Sequence, residues 1–348
     1  MHHVTIMNKW QKIIGIIVGA IVILFLVTCY LLMSKPWLFM GPDSEDKYNA
    51  IGLYGEVSDL FFIDENTGVA ISSLMYSNRQ DSVKVFHTSD SGHHWSLVLE
   101  LPDYSHVFNA IKIDNYVFCA VEKDSVFTLL SMNISSGKYT LSDEQFTTLP
   151  NLYQCGSNLG YSTDGVFYTT NSTFEAPDSI GNYDKRPSNK GIAVIGDHIY
   201  GFIFDKDSYV NRLYDFKNRN FVCDFSITGN VSIIKTTDSS CVILAVKDQR
   251  ILIMYEFDVI DQTLIQKFTY TANIMRPLKI DNGLVYSLVS DGLFTDNSLL
   301  VGDASGKYET IINLNESNIK AYCLTDRMFY FYDPFQNIIV RSYVSETL

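Results

Sequence analysis

A chain of 348 residues that is 47% hydrophobic and 19% charged, with 22 Tyr and 22 Phe, holds enough apolar material for a packed β-rich core and too little charge for disorder. Its net charge of −13 excludes nucleic acid as a partner, because neutralising phosphates takes clustered Lys and Arg. Residues 1–37 contain Lys9, Lys12 and Lys35 and no acid, which leaves the rest with 23 basic against 39 acidic groups, or −16, a balance suited to a basic or basic-patched protein partner.

From Ile13 to Met33 the chain runs 21 residues without a charge. At about 1.5 Å per residue a helix of that length reaches about 30 Å, the thickness of a bilayer's hydrocarbon core. Trp10 and Trp37 flank the run where amphipathic rings favour the membrane interface. Lys9 and Lys12 precede it, while Asp43, Glu45 and Asp46 follow, so the positive-inside rule places residues 1–12 in the cytoplasm and the large domain outside. The expectation is a single-pass cell-membrane protein with a signal anchor at 13–33 and a lipid bilayer as its first partner. The large domain would be extracytoplasmic, in the periplasm if the source is bacterial. Two rivals keep the same export but differ in the anchor: a cleaved signal peptide, and a lipoprotein signal ending at Cys29.

Residues 34–49, with Pro36, Gly41 and Pro42, read as a tether, and 50–348 as one strand-rich domain. Short runs of Val, Ile, Phe and Tyr are broken every 8 to 12 residues or so by Asp, Asn, Gly or Ser, the pattern of consecutive hairpins. A coarser unit recurs, an apolar strand, a turn on Asp and a second apolar strand, with Asp114, Asp197, Asp281 and Asp326 at the turns. Their separations of 83, 84 and 45 fit a period near 42 with intermediate copies, one of them at Thr237-Asp238-Ser239. Four short strands per period is what a propeller blade requires. The predicted fold is therefore all-β, a β-propeller of six to eight blades with seven favoured, preceded by one transmembrane helix. Two β-sandwiches in series is the alternative, and no linker between them is visible.

The stretch Thr88-Ser89-Asp90-Ser91-Gly92-His93-His94-Trp95 resembles the Asp box, S/T-x-D-x-G-x-T-W, of sialidases and other propellers with BNR repeats. Thr88, Asp90, Gly92 and Trp95 match, and His94 stands where the motif has Thr. The run before it, with Asp64 and Gly68, resembles the opening of a blade in sialidase-like propellers. The resemblance covers about residues 56–100 and implies a structural role for the motif. The Asp carboxylate accepts hydrogen bonds from turn amides, Gly tolerates positive φ, and Trp packs on the hairpin.

Sialidase activity would imply an Arg-Ile-Pro motif and three arginines clamping a carboxylate, and neither can be placed; Arg186-Pro187 and Arg276-Pro277 lack the Ile. No nucleophile elbow, phosphate loop or dinucleotide fingerprint occurs, so no catalytic residue, metal ligand or cofactor is assigned. His87, His93, His94 and His106 lack metal-site spacing and read as surface residues. The cysteines read as buried free thiols or at most two disulfides.

The functional expectation is a non-catalytic, membrane-anchored propeller that binds another protein through loops on one rim, as an envelope assembly factor or a toxin-neutralising immunity protein. Candidate acidic contacts are Asp205, Asp207, Asp258 and Asp261, chosen because they lie between strand-like runs. A glycosidase-like hydrolase and an envelope sensor of small ligands are the alternatives.

Overall fold

A computed structural model describes residues 47–49, 56–73, 82–185, 187, 191–235, 237, 239–248, 250–271, 274–281, 284–290, 297–302, 308–314, 321–325, 328–333 and 338–343. The membrane segment at 13–33 and its flanks Lys9, Trp10, Lys12 and Trp37 lie outside them. No helix among the described residues is long and apolar enough to cross a membrane.

The described chain is all β: seven four-stranded sheets in which sequence-consecutive strands pair antiparallel, each sheet built from strands consecutive in sequence except the last. The first strands of sheets 1 to 7 are Glu56–Phe62, His106–Ile113, Asn151–Cys155, Ile192–Ile195, Asn230–Lys235, Ile274–Asp281 and Tyr322–Leu324. In sheet 7 the edge strand beside Ile338–Tyr343 is Lys47–Asn49, from the stretch read as tether, so the two ends of the domain share one sheet.

The hydrophobic core explains why the sheets follow one another as blades. Ser240–Lys247 is an almost continuous apolar strand, and its alternate side chains go to opposite neighbours. Cys241, Ile243 and Ala245 pack with Tyr200, Phe202 and Leu213 of blade 4, while Val242, Leu244 and Val246 pack with Val285 of blade 6. A strand buried on both faces has no polar face to show, which is why it reads as an unbroken run. Comparable clusters join blades 1 and 2, 2 and 3, and 3 and 4. The cluster that closes the series sets Val57, Leu60 and Phe62 of blade 1 against Met328, Tyr330 and Tyr332 of blade 7. The arrangement is propeller-like, and its seven sheets agree with the spacing of the sequence repeat.

Hairpins alternate between the two ends of a four-stranded sheet. The turns joining first to second strands therefore share an end with those joining third to fourth strands, and those joining second to third lie at the other end. Asp64, Asp114 and Asp197 all fall in first-to-second turns, of blades 1, 2 and 4, and Asp281 ends the first strand of blade 6. Asp238 and Asp326 lie outside the described residues.

Candidate functional site

Two features of blade 1 converge at that end: the Thr88–Trp95 hairpin and a cavity along the blade's first strand. In the hairpin, the Thr88 hydroxyl donates to Asp90 Oδ1 (2.9 Å) and accepts from the Gly92 amide (3.0 Å). Asp90 Oδ1 also accepts the His94 amide (2.9 Å), and His94 Nδ1 faces Oδ2 at 2.6 Å. Ser91 and Gly92 both take positive φ, 63° and 83°, a conformation that glycine tolerates best, and the Trp95 ring lies in ordinary contact distance of residue 92. Trp95 in turn meets Phe62 edge to face, with ring centroids 6.0 Å apart.

Burial raises the Asp90 carboxyl, but the His94 amide and side chain and the Thr88 hydroxyl together outweigh it and hold it at about 2. A depressed carboxyl contributes stability that is present above the ordinary carboxylate range and is lost as pH falls through about 2. Asp90→Ala is expected to lower stability at pH 7 by about 1 to 3 kcal/mol. The lower part of that range applies, because the carboxylate side chain is 41% exposed and solvent screens it. Urea midpoints of the two proteins at pH 7 and again near pH 2 check this, since the difference should shrink at the acid end.

The hairpin braces the turn that follows the first strand of blade 1. The Ser91 amide donates to the Asn66 carbonyl and its hydroxyl to Asn66 Oδ1, both at 2.9 Å. That turn is itself knotted by Asp64, whose Oδ1 accepts the Asn66 and Thr67 amides at 2.7 Å. From the far side, the Tyr330 hydroxyl of blade 7 donates to the Glu65 carbonyl (2.6 Å).

The braced strand and turn wall a cavity of about 1020 Å³ shared by the first strands of blades 1, 2, 3 and 7. Its polar lining includes Asp59, Asp64 and Glu65 of blade 1, Lys112 of blade 2, Gln154 of blade 3 and Tyr322 of blade 7. Asp59 is half-buried, no cationic side chain pairs with it among the described residues, and burial raises its carboxyl, partly offset by the Ser58 hydroxyl. Sequence reasoning passed over Asp59. The signal was an acid inside an apolar strand, in VSDLFF, with no turn residue beside it.

The four acidic residues proposed as partner contacts fall into two pairs. Asp205 and Asp207 lie in a second-to-third turn of blade 4, and Asp258 and Asp261 in a third-to-fourth turn of blade 5, so the pairs sit at opposite ends of their sheets. Asp205 accepts the Asp207 amide and the Ser208 hydroxyl, and Asp258 the Ile260 and Asp261 amides, so both shape their own turns. His93 and His94 are exposed as expected, but His87, on the third strand of blade 1, is half-buried, with its ring beside Gly137 in the third-to-fourth turn of blade 2. His106 is half-buried and faces Glu122 at 3.2 Å. No group of three metal-ligating side chains occurs among the described residues. Cys119 and Cys241 are buried and Cys155 and Cys323 half-buried, and none of these four forms a disulfide.

One buried acid carried no sequence signal at all. Asp215 of blade 4 is 1% exposed at its side chain, accepts from Asn218 and Lys217, and faces His198 Nδ1 at 2.8 Å. The Lys217 and Asn218 amides on Asp215 Oδ1 lock the turn that follows the strand.

No protein-family model matches the chain, and no curated protein does. Among solved structures, an uncharacterized protein from Listeria monocytogenes EGD-e superposes with a TM-score of 0.51 at 12% identity, over 88% of this chain and 97% of that one. The extracellular domain of a candidate one-component system from B. thetaiotaomicron gives 0.52 at 16% identity, over 85% of this chain and 39% of that one. At such identities the likeness is one of fold.

Proposed function

We propose that this protein is a membrane-anchored, non-catalytic propeller of the BNR type that binds a basic protein outside the cytosol. The interface is the rim formed by the first-to-second turns. The observation that carries the reading is the recurrence of Asp at those turns: Asp64 and Asp114 are exposed there and unpaired with any cation among the described residues, and Asp197 is exposed beside them in sequence order. Asp197 pairs with Lys217 and has His198 Nε2 3.5 Å away. Asp258 and Asp261 share that end and stay in the interface, whereas Asp205 and Asp207 leave it. The apolar run at 13–33 supplies the anchor, and the −16 balance of the remainder supplies the charge that steers a basic partner.

Asn in place of Asp keeps an acceptor oxygen for the turn amides and removes the charge, so it isolates steering from folding. The Asp64→Asn, Asp114→Asn, Asp258→Asn triple variant is expected to associate with the partner roughly tenfold more slowly at low salt and to approach the native rate at high salt. An unchanged association rate at low salt, with the variant folded, would overturn the assignment of this rim.

A further inference from the structure

The cavity beside the blade 1 strand has a feature that protein binding at the rim does not use. Strict alternation along Glu56–Phe62 would put residue 59 on the same side as Val57, facing blade 7. The pairing with the second strand instead slips between Val57 and Asp59, a bulge at Ser58, whose hydroxyl donates to the Ile71 carbonyl (3.3 Å). After the slip, Leu60 and Phe62 join Val57 on the blade 7 side, while Phe61 and Ile63 pack toward blade 2. Asp59 goes with them and lies close enough to Cys119 of blade 2 that, after burial itself, its charge is what raises that thiol. A bulge that re-aims one side chain is a recurring device next to functional sites. Here it turns a carboxylate into a partly apolar cavity where, among the described residues, no cationic side chain pairs with it.

We infer that this cavity is a binding site for a small organic monocation, a primary ammonium or guanidinium on an apolar stem, with Asp59 as the counter-charge. The stem lies along Phe61, Ile63 and Leu324, which line the same cavity. Its volume of about 1020 Å³ suits a drug-sized ligand. Lys112, exposed on the blade 2 wall, and the Asp64 and Glu65 carboxylates of the blade 1 turn line the same cavity. Burial raises the Asp59 carboxyl, so its ionised form weakens the free protein at neutral pH: the stability is full below the ordinary carboxylate range and falls as pH rises through the folded value. A bound cation relieves that cost, and Asp59→Asn is expected to be at least as stable as the native protein at pH 7.

The test uses the full chain in detergent, with phenethylammonium as the probe and 2-phenylethanol as its neutral counterpart, read by calorimetric titration and melting temperature. Phenethylammonium is expected to bind saturably and raise the melting temperature, 2-phenylethanol to do neither at the same concentration, and Asp59→Asn to bind the amine roughly tenfold more weakly. No saturable binding of the amine to the native chain, equal binding of the alcohol, or undiminished binding to a folded Asp59→Asn protein would each overturn the site.

Discussion

Tyr330→Ala is expected to lower the stability of the domain by about 3 to 5 kcal/mol, the range for deleting a large buried aromatic side chain. Tyr330 is fully buried where blade 7 meets blade 1, and its ring lies nearly parallel to Phe62, 9° apart in plane with centroids separated by 3.7 Å. Its hydroxyl also holds the Glu65 carbonyl in the turn at the mouth of the cavity. Nearby, the Phe62 amide donates to Cys323 Sγ (3.2 Å), a second tie between the same blades. Truncation therefore opens a void in the interface that closes the series of sheets and frees the turn on which the Asp90 hairpin rests. Tyr330→Phe separates the two parts: it keeps the stack and loses the hydrogen bond, for an expected cost of about 1 kcal/mol. Urea denaturation followed by tyrosine fluorescence and by far-ultraviolet circular dichroism measures both. A Tyr330→Ala protein within 1 kcal/mol or so of the native one would mean that this interface contributes little to the fold.

Gly229→Ala is expected to cost about 3 kcal/mol or more, combining positive-φ strain with an overpacked backbone contact. Gly229 carries φ +96° in the two-residue connection from the last strand of blade 4, Asn220–Ile227, to the first strand of blade 5, Asn230–Lys235. A Cβ there would collide with the Val246 carbonyl oxygen and lie 3.0 Å from the Lys247 Cα. Both are backbone atoms of a paired strand, so neither can swing aside as a side-chain tip would. The connection is also fixed by Asn211, whose Nδ2 donates to the Gly229 carbonyl (2.8 Å). Gly196, with φ +60° and nothing near its would-be Cβ, is the control. Gly196→Ala should show the conformational penalty alone, about 1 kcal/mol. Equal midpoints for the two alanine variants would show that the close approach at Val246 carries no weight.

The architecture was legible because the repeat rests on local chemistry. Each blade needs a tight first-to-second turn, and Asp or Gly at that turn recurs at Asp64, Asp114, Gly156 and Gly196-Asp197, close to the period read from the sequence. The burial of strands such as Ser240–Lys247 on both faces was likewise written in their unbroken apolar runs. The motif at Thr88–Trp95 gave its internal bonds but not its outer ones, since Ser91 meets Asn66 and Trp95 meets Phe62 only after two strands have paired. Asp59 stayed hidden for a different reason. Its direction depends on a one-residue slip at Ser58, and a register shift leaves the residue types along the strand unchanged. Asp205 and Asp258 differ in a way that only topology shows, because the sequence places each in a turn without saying which end of its sheet that turn occupies.

The claim that this is an extracytoplasmic binder of a basic protein is tested most directly by capture. The full chain in detergent is immobilised and exposed to an envelope extract from its own source at low and at high salt, beside the Asp64→Asn, Asp114→Asn, Asp258→Asn variant. The account predicts a discrete partner of basic character that is retained at low salt, largely released at high salt, and recovered in much smaller amount by the variant. Recovery of no partner from the native chain, together with turnover of a glycan or ester library by the same preparation, would contradict the account and make the protein an enzyme.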